Sequence, residues 1–251
     1  MTEKKGDVWS LDFPKEKKAD ILEQIIKFTH EPRVFRHVVS LNPEILVQAA
    51  SDDDYRTVLK RADVRLVDGV GLKLASWLLD MGIGDRYTGV DLMSDLLIWA
   101  KHSGVKVMLI GGKSQVAERL ANRQKSRESS ATFFGTSGIS DISNPDPIEE
   151  EQIFSIVADM VPHIVFIAYG SPAQEKWIWL HRAQFSKSVC IGVGGAFDFL
   201  SGEVSRAPKW ARSAGLEWLY RLLRQPWRWQ RQTRLIIFAA MVLKRLIRRL
   251  V

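Results

Sequence analysis

One carboxylate stands where a parallel sheet would present it to a ligand. Residues 64–67 form a short, largely apolar run typical of a strand, Asp68 follows it, and Gly69 and Gly71 allow a sharp turn into a helix. Ligands of open α/β sheets bind just outside the carboxyl ends of the strands. A carboxylate placed there can accept a proton from a bound hydroxyl group. The alternative is that Asp68 caps the helix beginning at Val70, because Asp before Gly is common at strand-to-helix turns.

Small and polar residues also follow other predicted strands. Backbone N–H groups at such ends, beside helix N-termini, favour a ligand that carries phosphate. The sequence contains no Gly-x-Gly-x-x-Gly after a strand, and the Gly112-Lys113-Ser114 segment lacks the first glycine of a Walker motif. The residues at these strand ends that we expect to contact a ligand are Ser40, Asn42, Gly111 and Gly194.

The elements that would position these residues alternate between strands and helices. Strands are predicted at residues 34–40, 64–67, 105–110, 132–134, 164–168 and 188–193, with helices between them, and a further short strand at 8–11. This alternation predicts an α/β fold with a mostly parallel, Rossmann-like sheet flanked by helices. The 251 residues, of which 46% are hydrophobic, suffice for a full core. Cys190 is the one cysteine, so no disulfide forms within the chain.

Positive charge is concentrated at the carboxyl-terminal end. Residues 203–251 hold twelve Lys or Arg and two Asp or Glu, a balance of +10 in a chain of net charge +7. We therefore expect residues 1–202 to form the α/β core and residues 203–251 a basic, Trp-rich helical appendage, with a helix break near Pro226. The apolar run 235–243 is too short to span a bilayer, and its Trp and Arg neighbours favour a helix in a membrane interface. The alternative is an ordinary solvated helix packed on the core.

Other features bear on location and on partners. The amino-terminal residues carry no apolar segment of a signal peptide, so we expect a cytoplasmic protein. The mildly acidic core argues against a nucleic-acid partner. The one acidic run, Asp52-Asp53-Asp54, lies at a predicted helix N-terminus, where it compensates the helix dipole; a metal site is the less favoured alternative.

Several short segments carry a resemblance to a known family. They are residues 40–42, 62–71, 86–91, 170–175, 192–199, 206–208 and 215–221, with Pro226 beyond them. In this order they resemble the WecG/TagA/CpsF glycosyltransferase family, also called glycosyltransferase family 26. Ser40 departs from the family, which usually has Thr there, although the hydroxyl group is kept. The extension beyond Arg234 is also less typical.

The resemblance implies an inverting transfer of a sugar from a UDP-sugar to a polyprenyl-diphosphate-linked saccharide, with no metal and no cofactor. The expected reaction moves N-acetylmannosamine onto N-acetylglucosaminyl-diphospho-undecaprenol, in cell-wall or surface polysaccharide synthesis such as that of teichoic acid. UDP-N-acetylmannosaminuronic acid and UDP-glucose are alternative donors. The implied location is peripheral, on the inner face of the plasma membrane. The sequence leaves the oligomeric state open, with a homo-oligomer as one alternative.

The resemblance also implies roles for individual residues. Asp68 corresponds to the proposed general base, and Asp198 to a residue near the nucleotide. The polar pocket residues are Ser40, Asn42, Arg86 and Gln174, and the appendage arginines expected over the diphosphate are Arg221, Arg228 and Arg231. Guanidinium groups suit phosphate oxygens, and so they could neutralise a leaving UDP without a metal. Two other classes stay open: a Rossmann-like dehydrogenase or epimerase of nucleotide sugars, and a non-catalytic membrane or nucleic-acid adaptor.

Overall fold

A parallel sheet lies at the centre of the part of the chain that the computed structural model describes, which is residues 7–113, 115–125, 129–208, 210–211, 215–224 and 229–250. Its six strands are β1 (Arg36–Leu41), β2 (Val64–Val67), β3 (Lys106–Gly111), β4 (Thr132–Thr136), β5 (Ile164–Ala168) and β6 (Val189–Gly192). They are ordered β2-β1-β6-β5-β3-β4, and every neighbouring pair is parallel. The predicted α/β class and parallel sheet are confirmed.

Helices connect the strands and cover both faces of the sheet. Within the described residues they are α1 (Lys18–Lys27), α2 (Pro43–Ser51), α3 (Asp53–Arg61), α4 (Val70–Leu78), α5 (Gly89–Ala100), α6 (Val116–Gln124), α7 (Pro147–Met160), α8 (Ala173–Leu180), α9 (Ala196–Leu200), α10 (Glu217–Arg224) and α11 (Trp229–Leu250). The strand predicted at 8–11 is wrong. Val8–Ser10 is a 3₁₀ turn, because the Asp7 carboxylate accepts a hydrogen bond from the Trp9 N–H and Val8 is buried beneath it.

The strands are apolar on both faces because helices cover both of them. Alternate residues of a strand point to opposite sides. Ile164 and Phe166 of β5 belong to the cluster that also contains residues of α1, α5, α6 and α9, whereas Val165 and Ile167 pack with α7 and α8. The cluster over β1 and β2 is built from α2, α3 and α4. Because all six strands are parallel and each leads into a helix, their carboxyl ends and the N-termini of the following helices meet at one edge of the sheet.

Side-chain caps fix the N-termini of α2 and α3. The Asn42 side chain accepts a hydrogen bond from the Ile45 N–H at 2.9 Å, and Pro43 occupies the first turn of α2. Asp52 caps α3 by accepting from the Tyr55 N–H at 2.9 Å and pairs with Lys176 at 2.6 Å. The acidic run thus begins a helix, as predicted.

The register of β1 and β2 sets two candidate site residues side by side. Leu41 pairs with Val67, and the Asp68 N–H donates to the Leu41 carbonyl at 2.8 Å. Asn42 and Asp68, the residues that follow these two strands, therefore leave the same edge of the sheet together. This is the edge at which open α/β folds bind ligands.

The basic carboxyl-terminal segment folds back onto the core. Helix α11 packs on α2, and its Phe238 and Val242 are buried in the cluster that contains Leu46 and Ala75. Separate helices lie on the two sides of Pro226, which itself is outside the described residues. In the described residues, no helix combines the length and the hydropathy needed to cross a bilayer.

Candidate active site

Asp68 does not cap the helix that follows it. The residue at the N-cap of α4 is Gly69, whose φ of 90° favours glycine, and no side chain caps this helix. The Asp68 carboxylate instead accepts a hydrogen bond from the backbone N–H of Gly89, the first residue of α5. The capping alternative is therefore wrong, and the carboxylate is free to face a ligand at the carboxyl end of β2.

The surroundings of Asp68 make it a stronger base than an ordinary carboxylate. The side chain is half-buried, and burial raises its pKa to about 6. The Arg86 guanidinium opposes this shift, whereas Glu217 and Asp91 add to it by like-charge repulsion. A carboxylate with a pKa near the working pH is suited to take up a proton during a reaction.

Arg86 is held beside Asp68 by the backbone. Val67 and Arg86 form an isolated parallel bridge, and the Tyr87 N–H donates to the Val67 carbonyl at 2.8 Å. The segment that leads into α5 thus runs alongside the end of β2. The guanidinium group of Arg86 lies 3.6 Å from the Glu217 carboxylate. Arg86 and Asp68, both predicted site residues, thus lie next to each other and line the same cavity.

A second arginine, Arg206, joins the core to the appendage. Its guanidinium group donates to Asp91 at 2.8 Å and contacts Thr88 at 3.5 Å. It also lies 3.3 Å from Glu217 in the first turn of α10. Arg206 and Glu217 both lie in segments that match the family, but the sequence alone assigns them no role. One available signal was that Glu217 is one of only two acidic residues in the basic tail.

These groups lie at one end of a cavity of about 620 Å³ between the sheet edge and the appendage helices. The polar end is lined by Asn42, Asp68, Arg86, Thr88, Arg206 and Glu217. The remainder is lined mainly by apolar side chains of α4 and α11. The arrangement can bind a polar, anionic group beside Asp68 and exclude water from it on the apolar side.

Two other predicted pocket residues are buried and do not line this cavity. Ser40 is buried, and a Cβ placed on Gly89 would come within 3.4 Å of its hydroxyl oxygen. Gln174 is also buried, and its side-chain oxygen accepts from the backbone N–H groups of Gly170 at 2.9 Å and Gly194 at 3.1 Å. It therefore ties together the loops that follow β5 and β6, a supporting contact that sequence reasoning missed.

The remaining predicted residues lie along the sheet edge or outside the described side chains. Gly111 ends β3 with a φ of 99°, and Asp198 lies in α9, where its carbonyl accepts from the Val204 N–H; neither lines the cavity. Gly194 has a φ of 51° after β6. Arg228 lies outside the described residues, as do the side chains, though not the backbone, of Arg221 and Arg231.

The chain is similar to known proteins over nearly all of its length. The model of the glycosyl transferase WecG/TagA/CpsF family matches residues 7–251. A protein of Bacillus subtilis (strain 168) named N-acetylglucosaminyldiphosphoundecaprenol N-acetyl-beta-D-mannosaminyltransferase is 32% identical over 226 residues, covering 90% of this chain and 86% of the relative. A protein of the same name from Bacillus spizizenii is 34% identical, covering 82% and 78%, and one from Staphylococcus aureus (strain MW2) is 29% identical, covering 92% and 88%. The family match over residues 7–251, together with relatives that are 32% and 34% identical over most of their length, makes this chain a member of the WecG/TagA/CpsF family of glycosyltransferases.

Proposed function

We propose that this chain transfers N-acetylmannosamine from its UDP derivative to N-acetylglucosaminyl-diphospho-undecaprenol, with inversion at the anomeric carbon. The acceptor and the sugar are those printed in the names of the relatives. The observation that carries the proposal is the position of Asp68, which lines the cavity and has a pKa raised by burial to about 6. UDP-N-acetylmannosaminuronic acid and UDP-glucose remain alternative donors.

The proposed step is a direct displacement with Asp68 as general base. The acceptor hydroxyl gives its proton to the Asp68 carboxylate while its oxygen forms a bond to the anomeric carbon of the donor. The bond from that carbon to UDP breaks, and its electron pair leaves with the nucleotide. A positioned base contributes about 10²- to 10⁴-fold to such a step.

Cationic groups are needed where the leaving nucleotide gains negative charge. Arg86 and Arg206 line the polar end of the cavity, and guanidinium groups bind phosphate oxygens in a bidentate manner. We further propose that Arg221, Arg228 and Arg231 approach the diphosphate from the appendage. The ion pairs with Glu217 support this, because they anchor the first turn of α10 at the same end of the cavity.

The order of the strands suggests where each substrate lies. Along the carboxyl edge, Asp68 follows β2, Asn42 follows β1 and Gly194 lies just beyond β6, while Gly111 is the last residue of β3, two strands further on. We place the nucleotide across the glycine-rich ends of β6, β5 and β3, with Asp198 near it. The sugar then lies near Asn42 and the acceptor beside Asp68, within the cavity.

We also propose that the enzyme works on the cytoplasmic surface of a membrane, where a polyprenyl-linked acceptor resides. Apolar side chains are exposed on the two helices that border the cavity: Trp77 of α4 is 77% exposed and Ile236 of α11 is 73% exposed. Arg245 and Arg248 stand on the same helix as Ile236. Exposed aromatic and aliphatic groups beside basic ones are typical of interfacial helices.

The test is a donor screen that measures UDP release with N-acetylglucosaminyl diphosphate lipids as acceptors. UDP-N-acetylmannosamine should be consumed fastest, and mass spectrometry should find a disaccharide diphosphate lipid with a β linkage. One control reaction lacks the acceptor, and a second uses the Asp68→Asn variant. Release of UDP with no disaccharide product would contradict the proposal, as would the co-purification of a nicotinamide cofactor that changes redox state with the donor.

A further inference from the structure

We infer that the apolar part of the cavity is the binding site for the first isoprenoid units of the acceptor's lipid chain. We call this part the chain groove and define its walls by Val70, Leu74 and Leu78 of α4 and by Leu235, Ala239 and Leu243 of α11. The inference rests on the proposed function, because it takes the acceptor to be a prenyl diphosphate. The chain groove would bind the hydrocarbon, whereas the polar end of the cavity would bind the reacting sugars and phosphates.

The first wall leads directly away from the candidate base. Val70 begins α4 two residues after Asp68, and Leu74 and Leu78 follow at intervals of four residues, so the three side chains form one stripe. A stripe along a nine-residue helix is about 13 Å long at 1.5 Å per residue. A hydrocarbon chain lying on it would have its polar head group toward Asp68 and its far end near Leu78.

The opposite wall has the same periodicity. Leu235, Ala239 and Leu243 are also four residues apart on α11, and Phe238 and Val242 close the base of the groove from the hydrophobic core. Ala239 has the smallest side chain of this stripe, which leaves space between its two leucine neighbours. Two facing stripes with an apolar base form a slot of hydrocarbon character.

The charged residues that line the cavity lie mostly at one end of it, and this distribution favours an amphiphilic ligand. Of the described charged residues that line the cavity, Asp68, Arg86, Arg206 and Glu217 are at the polar end, and Glu44 is paired with Arg234. The chain groove itself presents apolar side chains. An amphiphile whose polar head lies at the end with Asp68 and whose methyl-branched hydrocarbon chain lies behind it matches both ends, whereas a free sugar nucleotide would leave the apolar end in contact with water.

The chain groove is open to the outside, so a long chain can leave it. Leu74 is 56% exposed and Leu243 is 57% exposed, although both line the cavity. An exposed apolar slot of this kind is unfavourable in water unless something covers it. A polyprenyl chain longer than the slot could therefore lie in it for its first units and continue into the bilayer.

The inference predicts that affinity rises with the length of the acceptor's chain and then levels off. Each buried methylene group contributes about a fourfold gain in affinity. The probes are N-acetylglucosaminyl diphosphate esters with methyl, geranyl and farnesyl groups, below their micelle concentrations and without vesicles. We expect the farnesyl ester to bind the wild-type protein at least about 30-fold more tightly than the methyl ester.

Two neighbouring alanines provide a matched pair of variants. Ala239 and Ala240 are both exposed on α11, but only Ala239 lines the cavity. Ala239→Phe should fill the chain groove and reduce the farnesyl-to-methyl affinity ratio to about threefold or less, while Ala240→Phe should keep the wild-type ratio. Should Ala239→Phe fail to fold, Leu74→Asp serves in its place, with Ile98→Asp, which is 63% exposed on α5 and outside the cavity lining, as its control.

Binding is measured by calorimetry, and transfer to the same esters is followed in parallel. Equal affinity for all three esters would overturn the inference, as would a chain-length dependence that Ala239→Phe leaves intact or that arises only with vesicles. Each of these results would mean that the chain groove does not bind the lipid chain and that the chain of the natural acceptor remains in the bilayer. Binding that depends on chain length and is lost in Ala239→Phe supports the chain groove even if no acceptor is glycosylated. A lack of glycosylation would count against the proposed function alone.

Discussion

The carboxylate of Glu217 lies 3.6 Å from the guanidinium group of Arg86. Glu217 belongs to the first turn of α10 in the appendage, and Arg86 is held against the end of β2. The second carboxylate oxygen of Glu217 faces Arg206 at 3.3 Å. The appendage is thus joined to the core by ion pairs beside Asp68. Because these charges also act on the pKa of Asp68, the position of α10 and the basicity of Asp68 are linked.

The first prediction concerns the candidate base. Asp68→Asn keeps the size of the side chain but cannot accept the proton, so turnover should fall by about 100-fold or more. Binding of the UDP-sugar, measured by calorimetry, should change by less than about threefold, because the nucleotide lies on other strands in the proposed arrangement. Asp80→Asn is the control, since Asp80 is exposed and Asn tolerates its φ of 47°. Near-normal turnover of Asp68→Asn would remove the assignment.

The second prediction is the pH dependence of the reaction. Since burial raises the pKa of Asp68 to about 6, kcat/KM should rise about tenfold per pH unit below that value and level off above it. Glu217→Gln removes a negative charge that raises this pKa, so the rising limb should move to lower pH. Arg86→Gln removes the opposing positive charge, so the limb should move to higher pH. Shifts in the same direction for both variants would contradict this electrostatic account.

The third prediction concerns stability. The pKa of Asp68 is raised from an ordinary value of 3.8 to about 6 in the folded protein, so the folded state binds more protons between these values. The free energy of unfolding therefore decreases as pH rises through that window. Asp68→Asn cannot ionise and should be more stable than the wild type above about pH 6, by on the order of 1–2 kcal/mol. Urea titrations at several pH values should find that the gain disappears below about pH 4; a constant difference would indicate a packing effect.

The fourth prediction is that activity persists in EDTA. In the proposed mechanism Arg86 and Arg206 meet the charge of the leaving nucleotide, so removal of divalent cations should leave the rate within about twofold. Arg206→Lys keeps the charge but loses the forked geometry that contacts Asp91 and Glu217, and should lower kcat/KM by about tenfold or more. Strict dependence on added Mn²⁺ would show that a metal supplies this charge instead.

The parallel sheet and the place of Asp68 could be predicted because both follow from local patterns. A short apolar run followed by Asp and Gly marks the end of a buried strand, and this pattern needs no knowledge of distant residues. The start of α3 at Asp52 was predictable for the same reason. The strand expected at 8–11 was wrong because a single side-chain contact from Asp7 caps a 3₁₀ helix of three residues, Val8–Ser10.

The contacts around Asp68 could not be read from local patterns. Arg206 and Asp91 are 115 residues apart in the chain, and their contact depends on how the appendage packs against the core. The role of Gln174 likewise depends on two loops that meet only in the folded sheet. Burial of Phe238 in the core also places α11 against α2, which charge patterning alone did not indicate.

The last prediction concerns the membrane. If the exposed apolar residues Trp77 and Ile236 insert into a bilayer, replacing both with Asp should lower binding to vesicles that contain anionic lipid by about tenfold or more. Raising the salt concentration should weaken binding of the wild type, because basic residues such as Arg245 and Arg248 contribute electrostatic attraction. The matched control is Ile148→Asp, since Ile148 is 64% exposed on α7, away from the cavity. Co-sedimentation that is equal for the double variant and the control would show that this surface does not face the membrane, and the acceptor would then have to reach Asp68 from another side.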